Sequence, residues 1–241
     1  MILSVIIPSF NEPTVSEVLS SIYSLHLPEG LFKEIILVDD GSTDNSIDVI
    51  EKNIQQFPQL ILIKHKKNKG KGAAIKTALE VVSGDIVIIQ DADLEYKPTE
   101  ILKVIEPILN KKTMVCYGSR HLKKEQYKKY LFLLKKHFGH SFSAFLGGRF
   151  ITLMCNILFF TFLTDVLSCY KAFSTPVLKN IVLKGDGFEL ETELTAKVLK
   201  KTKIKEVPIQ YIPRDINEGK KIRIKDGFKL LYALIKYRFV D

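Results

Sequence analysis

The chain is poor in cysteine, and its three, Cys116, Cys155 and Cys169, show no pairing pattern. That excludes a disulfide scaffold and a cysteine-based zinc site, and fits reduced thiols in a cytoplasmic protein. No Pro- or Gly-rich linker interrupts the sequence and no internal repeat stands out. No basic stretch precedes the first apolar run, Ile2 to Ile7, so a secretory signal is not expected. A membrane helix needs ~20 predominantly apolar residues. The richest candidate, Phe150–Leu163, carries Asn156, follows Arg149 and stops before Asp165, so no transmembrane helix is expected. Its alternatives are a buried core helix or a helix half-sunk in a membrane interface.

Common nucleotide and metal signatures are missing too. No Gly-x-Gly-x-x-Gly follows the first strand-like run, and no Gly-x-x-x-x-Gly-Lys-Ser/Thr occurs, which excludes dinucleotide and P-loop sites of those types. His-Glu-x-x-His is absent, and His26, His65, His121, His137 and His140 have no zinc spacing.

What is present begins with charge. The formal net charge of +9 calls for an anionic partner: a membrane surface, a phosphorylated substrate or nucleic acid. One cluster holds Lys64, His65, Lys66, Lys67, Lys69 and Lys71. A second holds Lys123, Lys124, Lys128, Lys129, Lys135 and Lys136, interleaved with Tyr127, Tyr130, Phe132 and Phe138. At 241 residues and 46% hydrophobic content, a single domain over 1–241 is expected.

Strand-like runs at Leu3–Pro8, Glu34–Asp39, Leu60–Lys64, Ile86–Gln90 and Met114–Tyr117 alternate with helical candidates near Val15–Ser24, Asn45–Phe57, Lys71–Val82 and Thr99–Leu109. That order predicts an α/β fold with a mostly parallel central sheet and helices on both faces. Ligands of such sheets bind beyond the carboxyl ends of the strands. Downstream, Glu189–Lys201 reads as a helix, Ile204–Tyr211 as extended, and Lys225–Phe239 as a basic amphipathic helix.

The chemistry gathers at the strand ends. The run Ile86-Val87-Ile88-Ile89 leads through Gln90 into Asp91-Ala92-Asp93, two carboxylates that suit a hard divalent cation and, through it, phosphate oxygens. A helix cap is the plain alternative. Ser9-Phe10-Asn11-Glu12 closes the first strand, and Asp39-Asp40-Gly41-Ser42 the second; their carboxylates suit a base or ribose, or the next helix start. Asn68-Lys69-Gly70-Lys71-Gly72 opens the third helix with glycines and cations, as an anion site or a basic turn would.

Taken in order, these motifs resemble family 2 of the inverting glycosyltransferases, with the GT-A nucleotide-sugar-binding fold. Within it the similarity is greatest to the polyprenyl-phosphate (dolichol-phosphate) hexosyltransferases. Gly118-Ser119-Arg120, Asp165 to Phe173, Glu206-Val207-Pro208 and Glu218-Gly219-Lys220-Lys221 extend the match over nearly the whole chain. The resemblance implies a nucleotide-sugar-binding half at 1–120 and an acceptor half at 121–241. Pro8, Phe10, Glu12, Asp39, Lys71, Asp91 and Ala92 would cradle the donor. Asp91, Asp93 and Glu95 would hold Mg²⁺ or Mn²⁺, Asp93 most directly, and Arg120 and Arg149 would meet an acceptor phosphate. Arg214 and Lys221 would cover the donor diphosphate. If the acceptor were a hydroxyl, Asp165 is the first candidate for its general base and Glu191 the second.

Two departures concern the acceptor. The C-terminal membrane helices of many such relatives are missing, and Cys169 replaces the usual Gly. The expected partners are a nucleoside-diphosphate sugar, a polyprenyl phosphate or glycan acceptor, and an anionic membrane surface on the cytoplasmic side, without nucleic acid. The alternatives are transfer to a sugar hydroxyl of a polysaccharide, a nucleotidyltransferase, or a non-enzymatic RNA- or lipid-binding module.

Overall fold

The computed structural model describes residues 1–122, 140–212 and 224–240. Among them the alternation read from the sequence is realised as β1 (Ile2–Ser9), α1 (Val15–Tyr23), β2 (Phe32–Asp39), α2 (Ser46–Lys52), β3 (Leu60–Lys64), α3 (Lys71–Val81), β4 (Ile86–Ile89), α4 (Ile101–Leu109) and β5 (Val115–Ser119). The second part holds α5 (His140–Phe159), β6 (Lys171–Ser174), α6 (Thr175–Lys179), α7 (Leu190–Leu199), β7 (Lys205–Pro208) and α8 (Ile224–Phe239).

Seven strands form one sheet in the order β3-β2-β1-β4-β6-β5-β7. All run parallel except β6, which is antiparallel to both β4 and β5. β1 lies centrally and is buried from Leu3 onward, which is why its sequence shows a continuous apolar run rather than alternation. Its Pro8 lacks the N–H a ladder needs, and it lies past the end of β4, whose pairing with β1 stops at Ile6 opposite Ile89. The chain after β4 is thereby released from the sheet just where Asp91 follows. Helix α1 buries Val15, Val18, Leu19 and Ile22, the stripe of a surface helix facing its core.

The helix expected over 45–57 breaks at Asn53 into α2 and a single 3₁₀ turn, Ile54–Gln56. The run Phe150–Leu163 is not one helix: α5 ends at Phe159, and Phe160 turns out at φ 50°. The cause is Asn156, whose amide donates to the Leu163 carbonyl (2.8 Å) and accepts the Leu163 N–H (2.9 Å), folding the chain back. No helix among the described residues is long and apolar enough to cross a membrane. A second core joins α5, α7 and α8 through Ile151, Cys155, Ala196, Leu230, Leu234 and Tyr237.

Candidate active site

The loops leaving β1, β2 and β4 meet at one edge of the sheet and are tied to each other by side chains. Asn11, at φ 46°, takes the Ser42 hydroxyl on its N–H (2.9 Å), and its Oδ1 accepts from Thr43 N (2.7 Å). The Thr14 hydroxyl contacts both Glu12 Oε1 (2.9 Å) and the Ala92 carbonyl (3.3 Å), joining the first loop to the third. Asp39 accepts the Ser42 amide at 3.0 Å. Glu12 and Ala92 are linked through Thr14 and Asp39 holds Ser42, while Pro8 and Phe10 lie at the end of β1 that leads into this loop.

Asp40, which the sequence did not single out, organises the neighbouring turn. Its carboxylate accepts the amides of Lys69 (2.9 Å) and Gly70 (2.7 Å) and contacts His65 Nδ1 at 2.7 Å. Gly41 needs its φ of +74° and its bare Cα here: a Cβ would stand 2.6 Å from the Lys67 backbone. The turn Asn68–Gly72, for which the sequence leaves an anion site and a plain basic turn open, packs against neighbouring segments. Ala73 N–H donates to the Asp186 carbonyl at 3.0 Å, and Lys71 Nζ lies 2.7 Å from Asp91 Oδ1 and 2.9 Å from Glu191 Oε1. Burial opposes the Lys71 charge, but Asp91 and Glu191 outweigh it and hold the ammonium well above its ordinary pKa. Burial likewise opposes the Glu191 carboxylate, yet Lys171 and Lys71 bring it down to about 2.

Asp93 stands half-buried, and its Oδ1 accepts the Glu95 amide at 3.1 Å. Among the described residues no three His, Cys, Asp or Glu side chains converge as a protein-only metal cage would require. Mg²⁺ does not need one: it commonly takes one or two carboxylates, with waters and substrate phosphates filling the shell. A carboxylate pair at an open strand end, one member already matched to Lys71, fits that mode.

A second cluster forms at the turn Thr164-Asp165. Arg120 grips Asp165 by Nε–Oδ2 at 2.7 Å, Nη2–Oδ1 at 2.8 Å and its own amide at 3.0 Å. Arg149 donates to the Thr164 carbonyl (2.7 Å), and Glu206 accepts the amides of Thr164 (2.7 Å) and Asp165 (2.9 Å). The sequence offers Glu206 only as part of the motif Glu206-Val207-Pro208; its anchoring role depends on a distant strand that no local pattern reveals. Asp165 is buried, which alone would raise its pKa, but the charge and hydrogen bonds of Arg120 hold it below the usual range. Burial, helped by Arg120 and Arg149, pushes His121 down to about 4 against the pull of Asp165. Arg214, Lys221 and the basic stretch 123–139 lie outside the described residues.

Comparison with known proteins decides the family. The sequence model of glycosyl transferase family 2 matches residues 4–181. The chain belongs to glycosyl transferase family 2. It is therefore a glycosyltransferase, which sets aside the nucleotidyltransferase and the non-enzymatic binding module. The UDP-N-acetylglucosamine–dolichyl-phosphate N-acetylglucosaminyltransferase of Methanococcus voltae is 30% identical over 250 residues, covering 95% of this chain and 93% of that protein. The dolichol-phosphate mannosyltransferase of Pyrococcus furiosus is 31% identical over 240 residues, covering 98% of this chain and 64% of that protein. Among solved structures, glucosyl-3-phosphoglycerate synthase from Mycobacterium tuberculosis, in complex with Mn²⁺, UDP-glucose and phosphoglyceric acid, matches with a TM-score of 0.71. That match covers 99% of this chain and 80% of that one at 19% identity, and establishes the shared GT-A fold.

Proposed function

We propose that this glycosyltransferase moves a hexose from a nucleoside-diphosphate sugar to a polyprenyl phosphate, with inversion, at an anionic membrane surface. The observation that carries the choice of acceptor is the state of the candidate bases. A general base works best with a pKa near the operating pH. Asp165 is held below the usual carboxylate range and Glu191 at about 2, each by a cation. Both are weak proton acceptors. A hydroxyl acceptor needs such a group; a phosphate monoester, with a second pKa of about 6, does not. The named acceptors of the two relatives above support the same reading.

In this scheme Glu12 and Asp39 hold the nucleoside, and Arg120 and Arg149 set a positive potential for the acceptor phosphate. Asp165, rather than taking a proton, fixes the Arg120 guanidinium in place. Asp93, with Asp91 and Glu95, would hold Mg²⁺ or Mn²⁺. When bound, the ion supplies positive charge beside the departing diphosphate. Arg214 and Lys221 are proposed to cover the donor.

The membrane partner rests on an exposed surface. Helix α5 exposes Phe150, Leu153 and Ile157, followed by Phe160 at 85% and Phe162 at 94%; helix α8, packed beside it, exposes Phe228, Tyr232 and Phe239. Large apolar groups at helical spacing, with Arg149, Lys229, Lys236 and Arg238 among them, suit the headgroup–acyl boundary of an anionic bilayer. The chain from Phe162 leads directly into Thr164 and Asp165, so a lipid anchored there would present its phosphate to the arginines.

The test is a transfer screen across UDP- and GDP-sugars with Mg²⁺ or Mn²⁺, with and without polyprenyl phosphate. Metal-dependent, inverting transfer to the lipid phosphate is expected. Transfer only to a sugar hydroxyl would overturn the acceptor assignment.

A further inference from the structure

The chain leaving β7 crosses from one half of the site to the other, and three backbone amides mark its course. Ile209 N donates to the Ser119 carbonyl (3.0 Å), Gln210 N to Glu100 Oε2 (3.1 Å) and Ile212 N to the Glu95 carbonyl (3.0 Å). Ser119 directly precedes Arg120, while Glu95 follows Asp91 and Asp93 in the turn after β4. Residues 209–212 are therefore a strap between the arginine cluster and the carboxylate turn.

Tyr211 lies within the strap, and its ring meets both a cation and a second ring. The Arg120 guanidinium carbon stands 5.0 Å from its centroid, and the Tyr96 ring lies 5.0 Å away at 54°. Tyr96 is buried and backed in turn. Its ring lies 5.1 Å from that of Tyr170, and its hydroxyl accepts the Cys169 amide at 3.3 Å. Arg120 thus rests on a row of rings whose far end is in the core.

The shape of a guanidinium gives this contact its use. Asp165 takes the edge formed by Nε and Nη2, at 2.7 and 2.8 Å. Two bonds along one edge fix its direction but let the plane rock about that edge. A ring against the face removes that motion, and its negative π-surface attracts the cation. A planar donor already oriented loses less freedom when it meets a phosphate, so it binds more tightly. The strap does not itself call for an aromatic residue at 211, since its anchors are backbone amides.

We infer that Tyr211 is a positioning residue for the acceptor: its ring sets the plane of the Arg120 guanidinium, which then meets the acceptor phosphate already oriented. This rests on the polyprenyl-phosphate acceptor proposed above and deepens it by naming what orients the arginine.

The experiment measures binding of a short-chain, water-soluble polyprenyl phosphate by calorimetry, beside UDP and GDP binding with Mg²⁺ and thermal melts. Tyr211 is half-exposed, so Tyr211→Leu should fold. It should weaken polyprenyl-phosphate binding about 2- to 30-fold, the span of a cation–ring contact from exposed to desolvated. Nucleotide binding should hold within about twofold, because the anchors of the strap do not use the side chain. Tyr211→Phe keeps the ring and should bind the polyprenyl phosphate as the wild type does. In an Arg120→Lys background, Tyr211→Leu should cost less than about twofold more, because an ammonium has no plane to hold. Undiminished polyprenyl-phosphate binding in Tyr211→Leu, an equal loss in Tyr211→Phe, an equal loss of nucleotide binding, a full loss that persists beside Arg120→Lys, or a Leu variant that does not fold overturns the proposal. Failure of the wild-type protein to bind the polyprenyl phosphate would instead overturn the acceptor assignment itself.

Discussion

Arg120 and Asp165 meet as a two-pronged ion pair, with contacts of 2.7 and 2.8 Å, on the turn that Glu206 anchors from β7. The pair uses both carboxylate oxygens of the residue that sequence reasoning placed first as a general base. It therefore separates two roles that mutation can tell apart. Asp165→Asn should destabilise the protein by about 2–4 kcal/mol, because a largely buried guanidinium loses its counter-charge. At saturating acceptor, kcat should fall less than about tenfold; loss of a true general base costs about 10²–10⁴-fold. Denaturant unfolding and steady-state kinetics on the same variant check both numbers.

Asp93→Asn should remain folded and lose most transfer activity, because the neutral amide is a poor ligand for a hard divalent ion. The check is transfer rate against Mg²⁺ and Mn²⁺ concentration beside a thermal melt. Full activity would remove the metal assignment.

Acid should weaken the fold through Glu191. Its folded pKa, about 2, lies below its ordinary 4.5. A depressed carboxylate pKa gives stability that is present above the unfolded pKa and lost as pH falls through the folded one. Between about pH 4.5 and 2 this group should therefore remove stability on the order of 3 kcal/mol. The Glu191→Leu/Lys171→Met variant should show a correspondingly shallower decline in unfolding free energy measured from pH 5 to 2.

Phe160→Glu/Phe162→Glu should abolish sedimentation with anionic vesicles. Both side chains are almost fully exposed, at 85% and 94%, so melting temperature should not change. Activity on a short-chain, water-soluble acceptor phosphate should also be kept. Undiminished vesicle binding would sink the proposed membrane face.

Gly70→Ala should destabilise the protein by about 2 kcal/mol or more, combining a strained φ of +105° with a collision of the new Cβ against the Asp186 carbonyl. Nucleotide binding should weaken in the same variant, since Lys71 follows directly. Chemical denaturation and calorimetry read the two effects.

Much of the first half was legible in the sequence because its signals are local. A strand buried on both faces shows as an unbroken apolar run, and the point where it leaves the sheet shows as abrupt polarity, as at Ile89-Gln90-Asp91. That is why the five strand-like runs and the loops holding Glu12, Asp39 and Asp91 appear where the pattern placed them. The short β6, Lys171–Ser174, carries no such signal in the sequence. Its pairing with β4 and β5 exists only in the assembled sheet, as does its reversed direction.

The sequence by itself determined which chemical groups stand at the strand ends and which family they match, because both are properties of residue order. The tertiary structure alone decided how those groups are used. It matched Lys71 to Asp91 and Glu191, committed Arg120 to Asp165, and gave Asp40 the task of holding the turn before α3. A residue's charge is written in the chain, but its availability depends on which opposite charge folding brings within hydrogen-bond distance, and those partners come from remote segments.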